Sequence, residues 1–196
     1  MRALIVAMVL VLGGCDPSTP KQKISSAPPD LAATDTVAMI GDSLTAQGNW
    51  KAYCEGAANH GVPSDTTRGV LSRLPAIEAR HYRVASVLIG VNDIAKDIPA
   101  DETVRNVQTI IDQLRASGST VVMVSLLPVT AKYPRPGFNE KINRLRAALG
   151  AVSGAAKVQF SIPERLYQPD GIHLQPEAYR IWWGAIRSHM NCVSGV

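Results

Sequence analysis

The chain of 196 residues and 21.0 kDa has the length of one domain. At 46% hydrophobic and 18% charged it holds enough apolar material for a core, which excludes a disordered polypeptide. The formal net charge of +4 comes without any Lys/Arg cluster, so nucleic acid is not an expected partner.

The first segment reads as an address. Arg2 precedes an apolar run from Ala3 to Leu12, about half the ~20 residues that a spanning helix needs. Gly13 and Gly14 supply the small residues of a cleavage site. Leu12-Gly13-Gly14-Cys15 resembles the lipobox of bacterial lipoproteins, which implies lipidation of Cys15 after cleavage; an ordinary signal peptide with an incidental Cys is the alternative. Residues 1–14 are thus expected to be a lipoprotein signal peptide. The protein is expected in the cell envelope, held to a membrane by lipid chains and facing the periplasm. Asp16, directly after the Cys, favours the inner membrane by the enterobacterial rule. Residues 15–34 carry Pro17, Pro20, Pro28 and Pro29 among several Ser and Thr, the composition of a flexible tether. The folded domain is expected over 35–196.

Four apolar runs bounded by Gly or Pro predict buried strands: Thr36 to Ile40, Val84 to Ile89, Thr120 to Leu127 and Lys157 to Ile162. A fifth strand near Asn59 to Val62 is weakly signalled. Helical spacing of apolar residues predicts helices over Thr67 to Arg80, Asp101 to Ala116, Phe138 to Leu149 and Pro176 to Met190. Asp101 is the expected N-cap of the second and Gly118 its stop. A weaker helix is expected from Asn49 to Ala58. Buried strands alternating with helices predict an α/β protein with a parallel sheet covered on both faces.

In such a sheet the functional loops follow the carboxyl ends of the strands. The first predicted strand leads into Gly41-Asp42-Ser43-Leu44, and the Val84 strand into Gly90-Val91-Asn92-Asp93. Asp170-Gly171-Ile172-His173 precedes the last helix. A Ser hydroxyl is a weak nucleophile until a base takes its proton, and imidazole suits that role near neutral pH. Asp170 is spaced to fold back on the His173 ring and fix its tautomer while the other nitrogen faces Ser43. The Ser43 N–H and the uncharged Asn92 amide are candidate donors to an oxyanion.

These three blocks, in this order, resemble those of the SGNH hydrolases, also called the GDSL esterase/lipase family. The resemblance covers Thr36 to Met190. It implies a compact three-layer α/β/α, flavodoxin-like fold and hydrolysis of esters or thioesters without metal or cofactor. The nucleophile-elbow pattern of α/β-hydrolases is not met, since Thr45 stands where its second Gly belongs. One family block departs. A segment like Asn-x-Gly-x-Ser-Gly, whose last Gly gives a backbone N–H to the oxyanion hole, here reads Asn59-His60-Gly61-Val62-Pro63-Ser64. Ser64 keeps the N–H, but is strained if the position needs positive φ.

The implied roles are Ser43 as nucleophile, His173 as base then acid, Asp170 as orienting carboxylate, and Asn92 with the Ser43 and Ser64 N–H groups as oxyanion donors. His60, His81 and His189 show no metal-ligand spacing and read as structural or surface groups. Tyr133 to Phe138 either walls the substrate site or is a plain loop. No insertion is large enough to form a lid, which favours short acyl chains or a broad site, with lysophospholipid-type esters as one substrate class. Hydrolysis of O-acetyl groups on glycans, acetyl transfer, or a non-catalytic binding module are the alternatives; the intact Ser, His and Asp oppose the last. The chain is expected to act as a monomer.

An oxidising compartment favours pairing of Cys54 with Cys192. In a sheet of strand order 2-1-3-4-5 the first and last helices share a face. Both cysteines are expected low on that face, away from the loops that carry the chemistry.

Overall fold

The computed structural model describes residues 36–192. Five strands form one parallel sheet: β1 (Val37–Gly41), β2 (Ala57–Gly61), β3 (Val84–Leu88), β4 (Thr120–Val124) and β5 (Ala156–Val158), in the order β2-β1-β3-β4-β5. Central β1 and β3 are buried along their whole length, which is why they read as apolar runs, broken in β3 only by the buried Ser86. Their register sets Gly41 beside both Gly61 and Leu88, so the strands end together at one edge.

The helices are α1 (Ser43–Ala46), α2 (Thr67–Glu78), α3 (Val91–Ala95), α4 (Ala100–Ala116), α5 (Phe138–Leu149) and α6 (Ala178–Ile186). Helices α2, α4 and α5 pack in a row, α4 between its two neighbours. Val107, Ile110, Ile111 and Leu114 of α4, with Ile142 and Leu145 of α5, are buried there. Right-handed crossovers place α6 and the segment after β1 on the opposite face. Fully buried Trp50 and Trp182 meet edge to face there with ring centroids 4.9 Å apart, and Tyr179 joins them.

Several expected boundaries move. The helix expected over Asn49 to Ala58 is absent: a single 3-10 turn, Trp50–Ala52, is followed by β2. The Trp50 indole is buried and donates to the Thr45 carbonyl at 2.8 Å, which pulls the segment into a compact turn. The weakly signalled strand is a full sheet member that begins at Ala57. Asp101 is not the N-cap of α4; Pro99 holds that position, while Asp101 sits in the first turn and pairs with Arg105 at 2.6 Å. β4 and β5 stop earlier than their apolar runs, which continue as buried loop residues such as Leu126, Leu127 and Ile162. α6 ends at Ile186 and passes into a 3-10 turn, Arg187–His189.

Cys54 and Cys192 form a disulfide with Cα atoms 5.8 Å apart. Cys54 lies in the turn before β2 rather than in a helix, but this still puts it at the sheet edge opposite the strand ends. The bridge spans 138 residues, and chain entropy assigns such a loop about 4–5 kcal/mol. Reduction is therefore expected to lower the melting temperature by many degrees while turnover at 25 °C is kept. Thermal scans with and without reductant check this, and loss of turnover at 25 °C on reduction would contradict it. The Cys15 lipidation site, Asp16, the signal peptide and the tether lie outside the described residues.

Candidate active site

β1 delivers the chain to the reactive edge through Gly41. A Cβ there would stand 2.2 Å from Thr45 Oγ1 and 2.3 Å from the Leu88 carbonyl, so no side chain fits. Asp42 then caps α1: its carboxylate accepts the Leu44 N–H at 3.0 Å, and Ser43 is the first helical residue. Tyr179 of α6 supports this turn from below, donating to the Leu44 carbonyl at 2.9 Å. Burial, with the nearby Asp42 charge, raises the Tyr179 phenol well above its ordinary value.

Asp170 to His173 form a clip that folds onto this turn. The Gln168 N–H donates to the His173 carbonyl at 2.7 Å, and the Gln168 amide donates to Leu174 O and to Gln47 Oε1 just beyond α1. Gly171 has φ +76°, and a Cβ there would meet the Tyr133 N at 2.6 Å, so the loop after β4 packs directly on the clip. The Thr130 N–H also donates to Gly171 O at 2.8 Å.

Three predicted residues meet in one hydrogen-bonded chain. His173 Nε2 lies 3.0 Å from Ser43 Oγ, and His173 Nδ1 lies 2.5 Å from Asp170 Oδ2. The other Asp170 oxygen accepts the N–H groups of Ile172 and His173, each at 3.0 Å. Desolvation works to raise the Asp170 carboxyl. Hydrogen bonds from the His173 ring and from those two N–H groups outweigh it and hold the carboxyl below its ordinary value. It is thus an anion at neutral pH, suited to keep the Nδ1 proton in place and to balance an imidazolium.

Asn92 and Ser64 are joined differently. Asn92, half-buried in α3, donates its amide to the Asp65 carbonyl at 2.9 Å, and Lys96 donates to the Ser64 carbonyl at 2.8 Å. Ser64 has φ +63°, the left-handed conformation that the glycine-for-serine comparison anticipates. Arg73 ties this loop to the strand before Ser43, bonding Asp65 Oδ2 at 2.9 Å and Gly41 O at 3.2 Å. Asp93, fully buried, accepts the Thr67 N–H at 3.0 Å and the Thr67 hydroxyl at 2.5 Å, docking α3 on the start of α2. Residue chemistry gave no notice of Arg73 or Lys96. Asp42 and Asp93 stand inside the recognised blocks, and that adjacency was the available signal.

The family is settled by comparison. A family model for the GDSL-like lipase/acylhydrolases matches residues 39–181. The chain belongs to that family. It is accordingly an esterase/lipase-type hydrolase. Among solved structures it is similar to a GDSL-like lipase from Bacteroides thetaiotaomicron, at 20% identity and a TM-score of 0.68 over 79% of this chain and 86% of that one. An acetylxylan esterase from Geobacillus stearothermophilus aligns at 12% identity and TM-score 0.68 over 82% and 95%. A lipase/acylhydrolase from Enterococcus faecalis aligns at 18% and 0.66 over 82% and 100%. No curated protein sequence matches the chain. Among the described residues no His, Cys, Asp or Glu cluster is placed to hold a metal, and no helix is long and apolar enough to cross a membrane.

Asp42 carries a consequence of its own. It is buried, and its second oxygen makes no hydrogen bond within the protein. Desolvation pushes its carboxyl up to about 6, against the Leu44 N–H and the His173 charge, which lower it. A carboxyl raised in the folded state holds its proton where the unfolded chain has lost it. Its contribution therefore falls as pH rises from about 4 to about 6, by about 3 kcal/mol. Asp42→Asn keeps an acceptor for Leu44 and carries no charge, so it should be more stable than the parent at pH 7 and show a flatter profile between pH 4 and 6. Denaturant unfolding at several pH values checks this; an Asn variant less stable at pH 7 would contradict it.

Proposed function

We propose that this hydrolase cleaves carboxylic esters or thioesters by acyl transfer to Ser43. The observation that carries the reading is the unbroken chain from Ser43 Oγ through His173 to Asp170, at the ends of the strands. His173 takes the Ser43 proton as Oγ attacks the acyl carbon, then returns it to the leaving oxygen or sulfur. Water attacks the acyl-enzyme by the same base in reverse. Asn92 has two amide hydrogens, of which one is given to Asp65, so the second is free to meet an oxyanion. The Ser43 and Ser64 N–H groups complete the donor set.

Asn92→Ala is expected to lower kcat by about 10²–10³, the usual worth of one donor, and to leave KM nearly unchanged. Steady-state kinetics on an activated ester separates the two constants, and a change in KM alone would make Asn92 a binding residue instead.

Short acyl groups or lysophospholipid-type esters are the favoured substrates. The loop from β4 to α5 is pinned at both sides, at Gly171 and through Arg135 to the Ala95 carbonyl at 2.8 Å. It therefore acts as a fixed wall rather than a cover over a long chain. Removal of O-acetyl groups from glycans, or their transfer, uses the same residues, and the similarity to an acetylxylan esterase keeps it as the second reading. A chain-length series of nitrophenyl esters, run beside acetylated glycans and lysophospholipid, decides between them. For location, the reading is a Cys15 lipid anchor facing the periplasm. Cys15→Ala should release the protein into the soluble fraction and remove the lipid mass; unchanged membrane association would refute it.

A further inference from the structure

Ser64 is one of four non-glycine residues with positive φ among those described, and it is the one with an assigned catalytic duty. Two residues one turn apart on α3 and its C-cap, Asn92 and Lys96, hold consecutive carbonyls of its loop, those of Asp65 and Ser64. The Ser64–Asp65 peptide is thus clamped at both ends, its C=O by Lys96 and its N–H by the Val62 carbonyl at 3.1 Å. Arg73 and the Thr66 N–H fix the Asp65 carboxylate as well.

The direction of the Ser64 N–H is set by φ and ψ of Ser64 together, and a move out of the left-handed region changes both, so it would swing the Ser64 carbonyl that Lys96 holds. An L-residue prefers negative φ. Relaxation from +63° into that range would rotate the N–H through more than ~90°. A glycine meets no steric penalty at positive φ, and the family block carries glycine at this position. A serine there needs something to hold it.

We infer that Lys96 is a positioning residue, which keeps the Ser64 backbone N–H aimed at the oxyanion by bonding the Ser64 carbonyl. The inference rests on the proposed Ser43 mechanism and on Ser64 being a donor in it. Lys96 is exposed and touches no substrate in this role; its effect passes through the backbone of Ser64.

The test is a cycle of Lys96→Gln and Ser64→Gly with kcat and KM measured for each, plus Lys96→Arg and Ser43→Ala. Lys96→Gln should lower kcat about 5–20-fold, part of the 10²–10³ that a whole donor is worth, with KM within about twofold because the oxyanion forms only near the transition state. Lys96→Arg should recover most of the loss. In the Ser64→Gly background the same Lys96→Gln change should alter kcat less than about twofold, because glycine meets no steric penalty at positive φ and so has no strain for Lys96 to oppose. An undiminished kcat in Lys96→Gln, an equal loss in both backgrounds, or an inactive Ser64→Gly would each overturn the inference. If Ser43→Ala is inactive and Lys96→Gln is neutral, only this inference fails. If Ser43→Ala is fully active, the mechanism beneath it fails too.

Discussion

Ser43→Ala is expected to lower kcat by about 10⁶, and His173→Ala by a similar amount, because the two act as one unit. Without Ser43 no acyl-enzyme forms. Without His173 nothing takes the hydroxyl proton at neutral pH. Neither side chain carries much of the core: both are half-buried beyond the strand ends, Ser43 at the start of α1 and His173 on a loop, and the packing beneath them comes from Leu44, Tyr179 and Leu174. Melting temperatures within a few degrees of the parent should therefore accompany the loss. Turnover of an activated ester and a thermal scan on the same preparations check both halves. Retained turnover in Ser43→Ala would remove the serine mechanism.

Asp170→Asn is expected to lower kcat by about 10³–10⁴ without a comparable change in KM. Asp170 does two things at once. One oxygen accepts the Ile172 and His173 N–H groups and shapes the turn; the other receives the His173 ring proton. An asparagine keeps the first function by pointing its carbonyl at the two N–H groups. Its NH₂ then faces Nδ1, which must become an acceptor. The ring proton moves to Nε2, facing Ser43, and the base is lost. Asp170 remains 45% open to solvent, which places the loss towards the lower end of the range, since water can satisfy part of the displaced ring. Steady-state kinetics of the variant checks the size of the effect. A loss under tenfold would show that His173 is oriented by other contacts.

How far the chain could be read without a structure differs from element to element. β1 and β3 were legible because strands buried on both faces leave apolar runs, interrupted in β3 only by the buried Ser86. β2 was nearly missed: it is an edge strand, and beyond Ala57 its residues are half-buried or exposed, so no apolar run marks it. α1 and α3, of four and five residues, are shorter than the helical period needs to show itself. α5 was legible end to end, with Phe138, Ile142, Leu145 and Leu149 at helical spacing on its buried face. The Ser43, His173 and Asp170 contacts followed from two short blocks, because each block follows a strand end or precedes the last helix at the same edge of the sheet. The disulfide followed from the shared face of the first and last segments, although the helix expected around Cys54 does not form. Lys96 and Arg73 could not be read in that way. Each acts on a main-chain group of a segment more than twenty residues away, and such pairings leave no periodicity and no motif. Asp93 stands inside its block, but its bond to the Thr67 hydroxyl 26 residues away does not show there.

The proposed mechanism requires that Ser43 become covalently acylated. A fluorophosphonate reacts with a serine only when that serine is activated by its base, and the adduct is stable enough to map. The most direct measurement is the intact mass and peptide map of the protein after such treatment. One adduct per chain, located on Ser43, absent in Ser43→Ala and strongly slowed in His173→Ala, is the predicted result. An unmodified Ser43 in protein that hydrolyses esters, or an adduct on another residue that tracks the loss of activity, would contradict it.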